Sequence, residues 1–391
     1  MLPLEKIRVL DLTRLLPGPF CSLMLADMGA TVIKVEDTAL GDYLRWGTRA
    51  VTPTQSINFM ALNRNKLSIK LNLKPKEGKE VFARLVQSAD VVLDGFRPGR
   101  LARLGVGYEA MSKLNPRIIY CAISGYGQDG PYKDRAGHDL NYLARAGMLD
   151  LFGKRGGGPI VPAAQIADLT GAYLAAIGVL SAIIGRAGTG RGQFVDISMM
   201  DGVWPWMVLL LPQYWADGAV PERGGLPLGG GLACYNVYEC QDGLWLTLGA
   251  LEPQFWSSFC SMLGHPEWVE RQRETEQGEG SLYAELCARF RTKPRAEWLE
   301  FFAAADVCIE PVQTIAEASS DAHMRHRGMI LEVEQPGAGT IRQLASPLKL
   351  SDIRAARREP SPEYGQHTDQ ILCEMGYSAA EITALREKRV I

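Results

Sequence analysis

The chain reads as an α/β protein with a mostly parallel sheet and helices on both faces. In its first third, short β-rich runs alternate with helical segments at the spacing of βαβ units. Its 391 residues suggest two or three domains at about 150 residues each. Lys plus Arg is 42 against 44 for Asp plus Glu, and 22% charged against 47% apolar residues is an ordinary globular composition. The resulting formal charge of −2 argues against a duplex nucleic-acid partner, which needs a basic face.

Residues 7–12 (IRVLDL) form the first strand pattern. Residues 20–28 follow as an apolar-periodic helix, closed by Gly29, and 31–35 (TVIKV) is the next strand. Residues 76–87 read as an amphipathic helix, with buried strands at 90–93 and 118–122. A polar, Tyr-rich loop spans 125–142. Residues 166–186 are a long helix rich in Ala and Gly, stopped by the glycines of 188–192, and 194–198 returns as a strand. The Trp/Pro/Leu-rich segment 201–221 carries few charges, as a connection buried against a partner subunit would. The glycines of 224–231 mark a boundary. Residues 232–330 change to strands at 235–238 and 244–248 and helices at 253–263, 281–291 and 294–304, an α+β domain. The tail holds a strand at 341–345 and a helix at 379–388.

The eight cysteines show no CxxC pair and no Cys/His ligand spacing. Free thiols, a reducing cytoplasmic setting and no metal site are expected. The N-terminal MLPLEKIRVLDL lacks the pattern of a secretory leader. The apolar stretches near 172–184 and 203–212 fall short of the roughly 20 residues of a membrane span, so no membrane partner is expected.

Several residues could carry chemistry. Asp168 opens the apolar helix, either as its N-terminal cap or as a carboxylate held in a cleft by the helix dipole. His138, in Gly137-His138-Asp139, lies in a loop after a strand, where open α/β sheets place ligands. It is either structural or a proton carrier suited to neutral pH. Arg97, Arg100 and Arg103 in FRPGRLARLG form either a solvated helix face or phosphate contacts. The glycine runs at 154–159 and 224–231 lack the strand–GxGxxG–helix context of a dinucleotide site and read as loops. On residues alone, this is a two-domain α/β enzyme with a phosphate-bearing ligand.

Four ordered segments carry a resemblance: IRVLDLTRLLPGPFCSLMLADMGATVIKVE (7–36), DGFRPGRLARLG (94–105), SGYGQDGPYKDRAGHDLNYLARAG (124–147) and GTGRGQFVDISMMDG (188–202). The chain resembles the class III CoA-transferase and α-methylacyl-CoA racemase family. The resemblance implies an interlocked homodimer in which a Rossmann-like large domain (1–200) continues through a linker (201–231) into a small domain (232–330). Residues 331–391 then form a second linker and the return to the large domain. It implies an acyl-CoA substrate, with coenzyme A entering as part of that substrate and no prosthetic group.

Two activities share the family. In a racemase, His138 and Asp168 would be the two bases that move the α-proton of a 2-methylacyl-CoA through an enolate. Glu252 would hydrogen-bond His138 and Tyr235 would support Asp168. In a transferase, Asp168 in QIADLTGAY would be a covalent nucleophile. GHDLNYLA, LGGGLACYNVYECQDG and GALEPQF resemble the racemase side, and the DLTGAYLAAIG helix resembles transferases. Backbone N–H groups near Asp168 would meet the enolate oxygen. Arg97 and Arg100 would contact CoA phosphates, with Asp139 and Tyr142 beside the pantetheine. Where several members place an Arg after the strand ending Val35-Glu36, this chain has Asp37. Arg64, Lys66 or Arg100 would then have to compensate.

Overall fold

The computed structural model describes residues 2–47, 49–352 and 357–391. The chain divides into two compact units. One comprises Met1–Ala146, Ala163–Trp206 and Arg325–Ile391; the other comprises Gly147–Pro162 and Met207–Met324.

The first unit is organised by β1 (Arg8–Asp11), β2 (Thr31–Glu36), β3 (Lys66–Lys70), β4 (Val91–Asp94), β5 (Ile119–Ser124) and β6 (Phe194–Ser198). These form one parallel sheet in the order β3-β2-β1-β4-β5-β6. The chain steps outward from β1 to β3, then returns to lay β4 against the other side of β1. The loops after β1 and β4 therefore diverge and open a crevice at the carboxyl ends of the strands, where doubly wound folds bind ligands. Strands covered on both faces need no alternation, which explains the unbroken apolar runs of β4 and β5.

The helices that position the crevice are α1 (Pro17–Asp27), α2 (Ile57–Asn63), α3 (Lys76–Gln87), α4 (Asp139–Ala146) and α5 (Ile166–Thr189). Helix α3 turns Val81, Phe82, Leu85 and Val86 into the core. Helix α5 runs 24 residues and is long and apolar enough to cross a membrane by length and composition, which corrects the expectation drawn from 172–184. In this unit it packs along α1, β5 and β6. Small residues on its buried side (Ala167, Ala172, Ala175, Ala176) allow the close approach. Gly171 belongs to that seam, since a Cβ there would stand 2.6 Å from Met199 Cγ.

Of the elements that the sequence did not announce, two flank the crevice. The strand β3 reads KLSIK, and its lysines and serine disguise the edge strand that pairs with β2. The loop after β5 stops at His138, and residues 139–146 form α4.

The second unit holds β7 (Tyr235–Glu239), β8 (Trp245–Gly249), α6 (Pro253–Leu263), α7 (Leu282–Phe290), α8 (Arg295–Phe302) and β9 (Ile309–Pro311). Its strands pair antiparallel in the order β9-β8-β7. Trp256, Phe259, Phe290, Trp298 and Phe302 fill its core. In the single chain, Trp204, Trp206 and Trp215 from the 201–221 segment are exposed.

The chain then completes the first unit with the hairpin β10 (Ile330–Gln335)–β11 (Gly339–Leu344) and with α9 (Thr368–Glu374) and α10 (Ala379–Glu387). Ile371, Leu372, Ile382, Leu385 and Val390 enter the same core as Leu10, Val81 and Val92.

Candidate active site

A cleft of about 340 Å³ opens in the first unit at the ends of β1, β4 and β5. Its walls are the loop after β1 (Thr13, Arg14, Leu15, Pro17, Gly18), the loop after β4 (Gly95–Pro98) and the segment from Ser124 to His138. Asp168 and Met199 face it from α5 and the end of β6. A second cleft of about 300 Å³ adjoins it, lined by apolar side chains from β1, β2 and the loop after β3, and by Asp37, Lys74 and Arg100. Arg14 and Phe96 line both.

Beneath the first wall lies a set of buried charges. The side chains of Asp11, Lys34, Asp42 and Lys66 are all fully enclosed. Lys34 Nζ sits 2.9 Å from Asp42 Oδ2 and donates to the Thr13 carbonyl at 3.0 Å. Asp42 Oδ1 accepts the Leu15 N–H at 3.1 Å, and Asp11 Oδ1 accepts the Thr13 N–H at 2.9 Å. Lys66 Nζ donates to the Pro19 carbonyl at 2.9 Å and lies 3.5 Å from Asp11. Burial opposes ionisation of Asp11, but Lys34 and Lys66 outweigh it and hold the carboxyl below its usual range. The charges thus clamp a turn in which Leu15 adopts φ +64°, a strained conformation for a side chain branched beyond Cβ.

Asp168 does not cap α5. Gln165 occupies the cap position, and Asp168 lies in the first turn with its backbone N–H donated to Asp139 Oδ1 at 3.0 Å. That N–H is therefore engaged within the protein. Burial pushes the Asp168 carboxyl up to about 6; Asp139 adds to the rise and His138 offsets part of it. A carboxyl in that range can both hold and release a proton near neutral pH.

His138 lines the same cleft and is held through its backbone. Its N–H donates to Asn141 Oδ1 at 3.0 Å, and its carbonyl accepts the N–H groups of Asn141 and Tyr142. Tyr142 anchors this corner by donating its hydroxyl to the Gly137 carbonyl at 2.6 Å. Gly125 and Gly137 make room for its ring, since a Cβ at either would stand 2.5 or 2.7 Å from it. Burial and then the Asp168 charge push the Tyr142 hydroxyl up to about 12, so it remains a donor.

The first unit thus gathers Asp168, His138, Tyr142 and Arg97 on one cleft, with Asp139 behind Asp168 and Arg100 on the second cleft. Arg103 lines neither cleft. Tyr235 and Glu252 belong to the second unit. Tyr235 opens β7, paired in register with Gly249, and Glu252 precedes α6 as an exposed residue with no capping hydrogen bond. Arg64 and Lys66 do not compensate for Asp37. Arg64 is buried against Asp27, 2.5 Å away, and Lys66 is spent under the Thr13 turn. The cleft residues Arg14, Lys133 and Arg135 were not singled out in the sequence. For Arg14, the only signal is its place just after the first strand.

Known proteins share this architecture along the whole chain. The profile of CoA-transferase family III matches residues 4–368. Mouse α-methylacyl-CoA racemase is 35% identical over 99% of this chain and 97% of its own length. Mouse succinyl-CoA:glutarate CoA-transferase is 34% identical over 96% of this chain and 87% of its own. Formyl-CoA:oxalate CoA-transferase of Escherichia coli is 33% identical over 100% and 99%. Among solved structures, a CAIB/BAIF family protein from Brucella suis superposes with a TM-score of 0.83 at 31% identity, covering 95% of this chain and 99% of that one. The chain belongs to CoA-transferase family III.

Proposed function

We propose that the protein is an acyl-CoA racemase or epimerase that inverts the α-carbon of 2-methyl-branched acyl-CoA thioesters. The observation that supports this reading best is the pairing on one cleft of an imidazole, His138, with a carboxyl raised to about 6, Asp168. A two-base inversion needs one proton acceptor and one proton donor on opposite faces of the α-carbon. One base removes the α-proton, the electron pair moves into the thioester carbonyl to give an enolate, and the conjugate acid of the other base returns a proton on the far side. The two bases exchange roles for the opposite hand. A carboxyl with an ordinary low value would be a poor acid in one of the two directions. In this reading Tyr142 and Asp139 hold the two bases, and Arg97 and Arg100 supply positive charge along the path of the CoA moiety, one on each cleft.

The test is exchange of the α-proton in deuterium oxide with a purified 2-methylacyl-CoA. Exchange no faster than that of a His138→Ala variant would refute the proposal. The supporting roles of Glu252 and Tyr235 are tested by Glu252→Gln and Tyr235→Phe in the same assay.

A second reading, CoA transfer, is favoured by the transferases among the relatives. Here the Asp168 carboxylate attacks the thioester carbonyl, expelling CoA thiolate and forming a mixed anhydride. The thiolate then attacks the aspartyl carbonyl, releasing the first acid and leaving an aspartyl-CoA thioester. The acceptor carboxylate repeats these steps in reverse. This route predicts an Asp168 peptide modified during turnover, detectable by mass spectrometry after hydroxylamine or borohydride treatment. Racemisation produces none.

A further inference from the structure

We infer that Arg14 grips the diphosphate of the CoA moiety at the junction of the two clefts, oriented there by Asp37. The inference rests on the acyl-CoA reading above and names a contact within it.

A CoA thioester is an elongated ligand with three chemically distinct parts: a reacting acyl end, a doubly charged diphosphate and a flat adenine nucleotide. With the acyl end at Asp168 and His138, the first cleft is occupied by the reacting group and the pantetheine. The second cleft, walled by Leu12, Val35, Leu71 and Leu104, offers the apolar slot that a purine needs. The diphosphate joins these parts, so it must pass the residues that belong to both clefts. Those are Arg14 and Phe96, and of the two only Arg14 carries charge. Arg97 lines the first cleft alone and Arg100 the second alone.

Arg14 is held in a fixed orientation. Its Nη2 is paired with Asp37, its Nη1 donates to the Tyr43 hydroxyl at 2.9 Å, and its guanidinium lies 5.1 Å from the Tyr43 ring centre and 5.4 Å from that of Phe96. These bonds use two of five N–H donors and leave three for an anion. Asp37 is itself saturated. Its Oδ1 accepts the N–H groups of Ala39 and Leu40 at 2.9 Å and of Gly41 at 3.3 Å. Partial burial works against its charge, but those N–H groups and Arg14 outweigh it and keep the carboxyl below its usual range. Asp37 therefore acts as a bracket for the guanidinium. A planar fork held by a carboxylate suits a diphosphate better than a mobile ammonium would.

The test is calorimetric binding of CoA and of dephospho-CoA, which lacks the 3′-phosphate and keeps the diphosphate, to the full chain and to Arg14→Ala. The expected result is a loss of about 10- to 100-fold for both ligands, the range of one charge-assisted hydrogen-bonded contact. In the Arg14→Ala background, Asp37→Ala should then have no further effect, because a bracket is silent without what it holds. No loss for either ligand, or a loss for CoA alone, would overturn the assignment. So would an equal loss in Arg14→Ala and Arg14→Lys accompanied by a lowered melting midpoint, which would make Arg14 a structural residue. If the parent chain binds neither ligand, the acyl-CoA reading falls and takes this contact with it. If the parent binds both and Arg14→Ala binds them equally well, only the contact falls.

Discussion

Asp168→Asn should abolish activity and, at the same time, make the ligand-free protein more stable at pH 8. The carboxyl lies at about 6 against an ordinary 3.8, a rise of about 2 units. At 1.36 kcal/mol per unit, that is about 3 kcal/mol of penalty for carrying the charge. Asp168 is partly open to the cleft, so solvent screening reduces the figure to about 1–2 kcal/mol. The opposing term is the attraction of a carboxylate to a helix N-terminus, about 0.3–1 kcal/mol, which Asn gives up. Burial wins by about 1 kcal/mol. The sign with pH follows from a folded value raised above the unfolded one. The stability held by the protonated carboxyl is fully present below pH 4 and is lost as pH rises through about 6. Urea denaturation of parent and variant should therefore give nearly equal stabilities at pH 4 and a variant advantage of about 1 kcal/mol at pH 8. A variant equally or less stable at pH 8 would refute the reasoning, because the helix dipole would then outweigh burial.

His138→Gln should slow α-proton exchange by at least about 100-fold while leaving CoA affinity within about threefold, read by exchange kinetics and calorimetry. The kcat/KM for racemisation in the direction that uses Asp168 as the base should fall as pH drops below about 6, where its carboxyl is protonated and no longer accepts the α-proton; a flat profile from pH 5 to 8 would contradict it. Lys34→Met should cost about 3–5 kcal/mol in urea denaturation, since it leaves Asp42 with a buried, uncompensated charge.

Much of the first unit was legible because strands covered on both faces write themselves as apolar runs, as in β4 and β5. Strand β3 was not, because Lys66 is buried for the sake of Asp11, a partner 55 residues away that local pattern cannot supply. Helix α4 hid behind Gly137, which is required by the ring of Tyr142 and not by a loop. Asp168 could be found from sequence but not assigned: cap and cleft carboxylate share one local signature, and the position of Gln165 decides between them. Arg14 stayed silent because its value comes from the switch in strand order, which brings residue 14 beside residues 37 and 96. The charged turn beneath the cleft shares that origin.

The core of the first unit takes Ile371, Leu372, Ile382, Leu385 and Val390 from chain that follows the whole of the second unit. During synthesis, the sheet must therefore wait. The second unit, nearly continuous from Met207 to Met324, can collapse as it leaves the ribosome. Meanwhile Val81, Phe82 and Leu85 of α3 and the floor of β1 and β4 lack the side chains that cover them. This leaves a window in which apolar surface is open to chaperones or to aggregation, and its length is set by translation speed. Slowing elongation between residues 200 and 365 should lower the soluble yield of the protein more than the same delay placed before residue 76, when α3 has not yet been made.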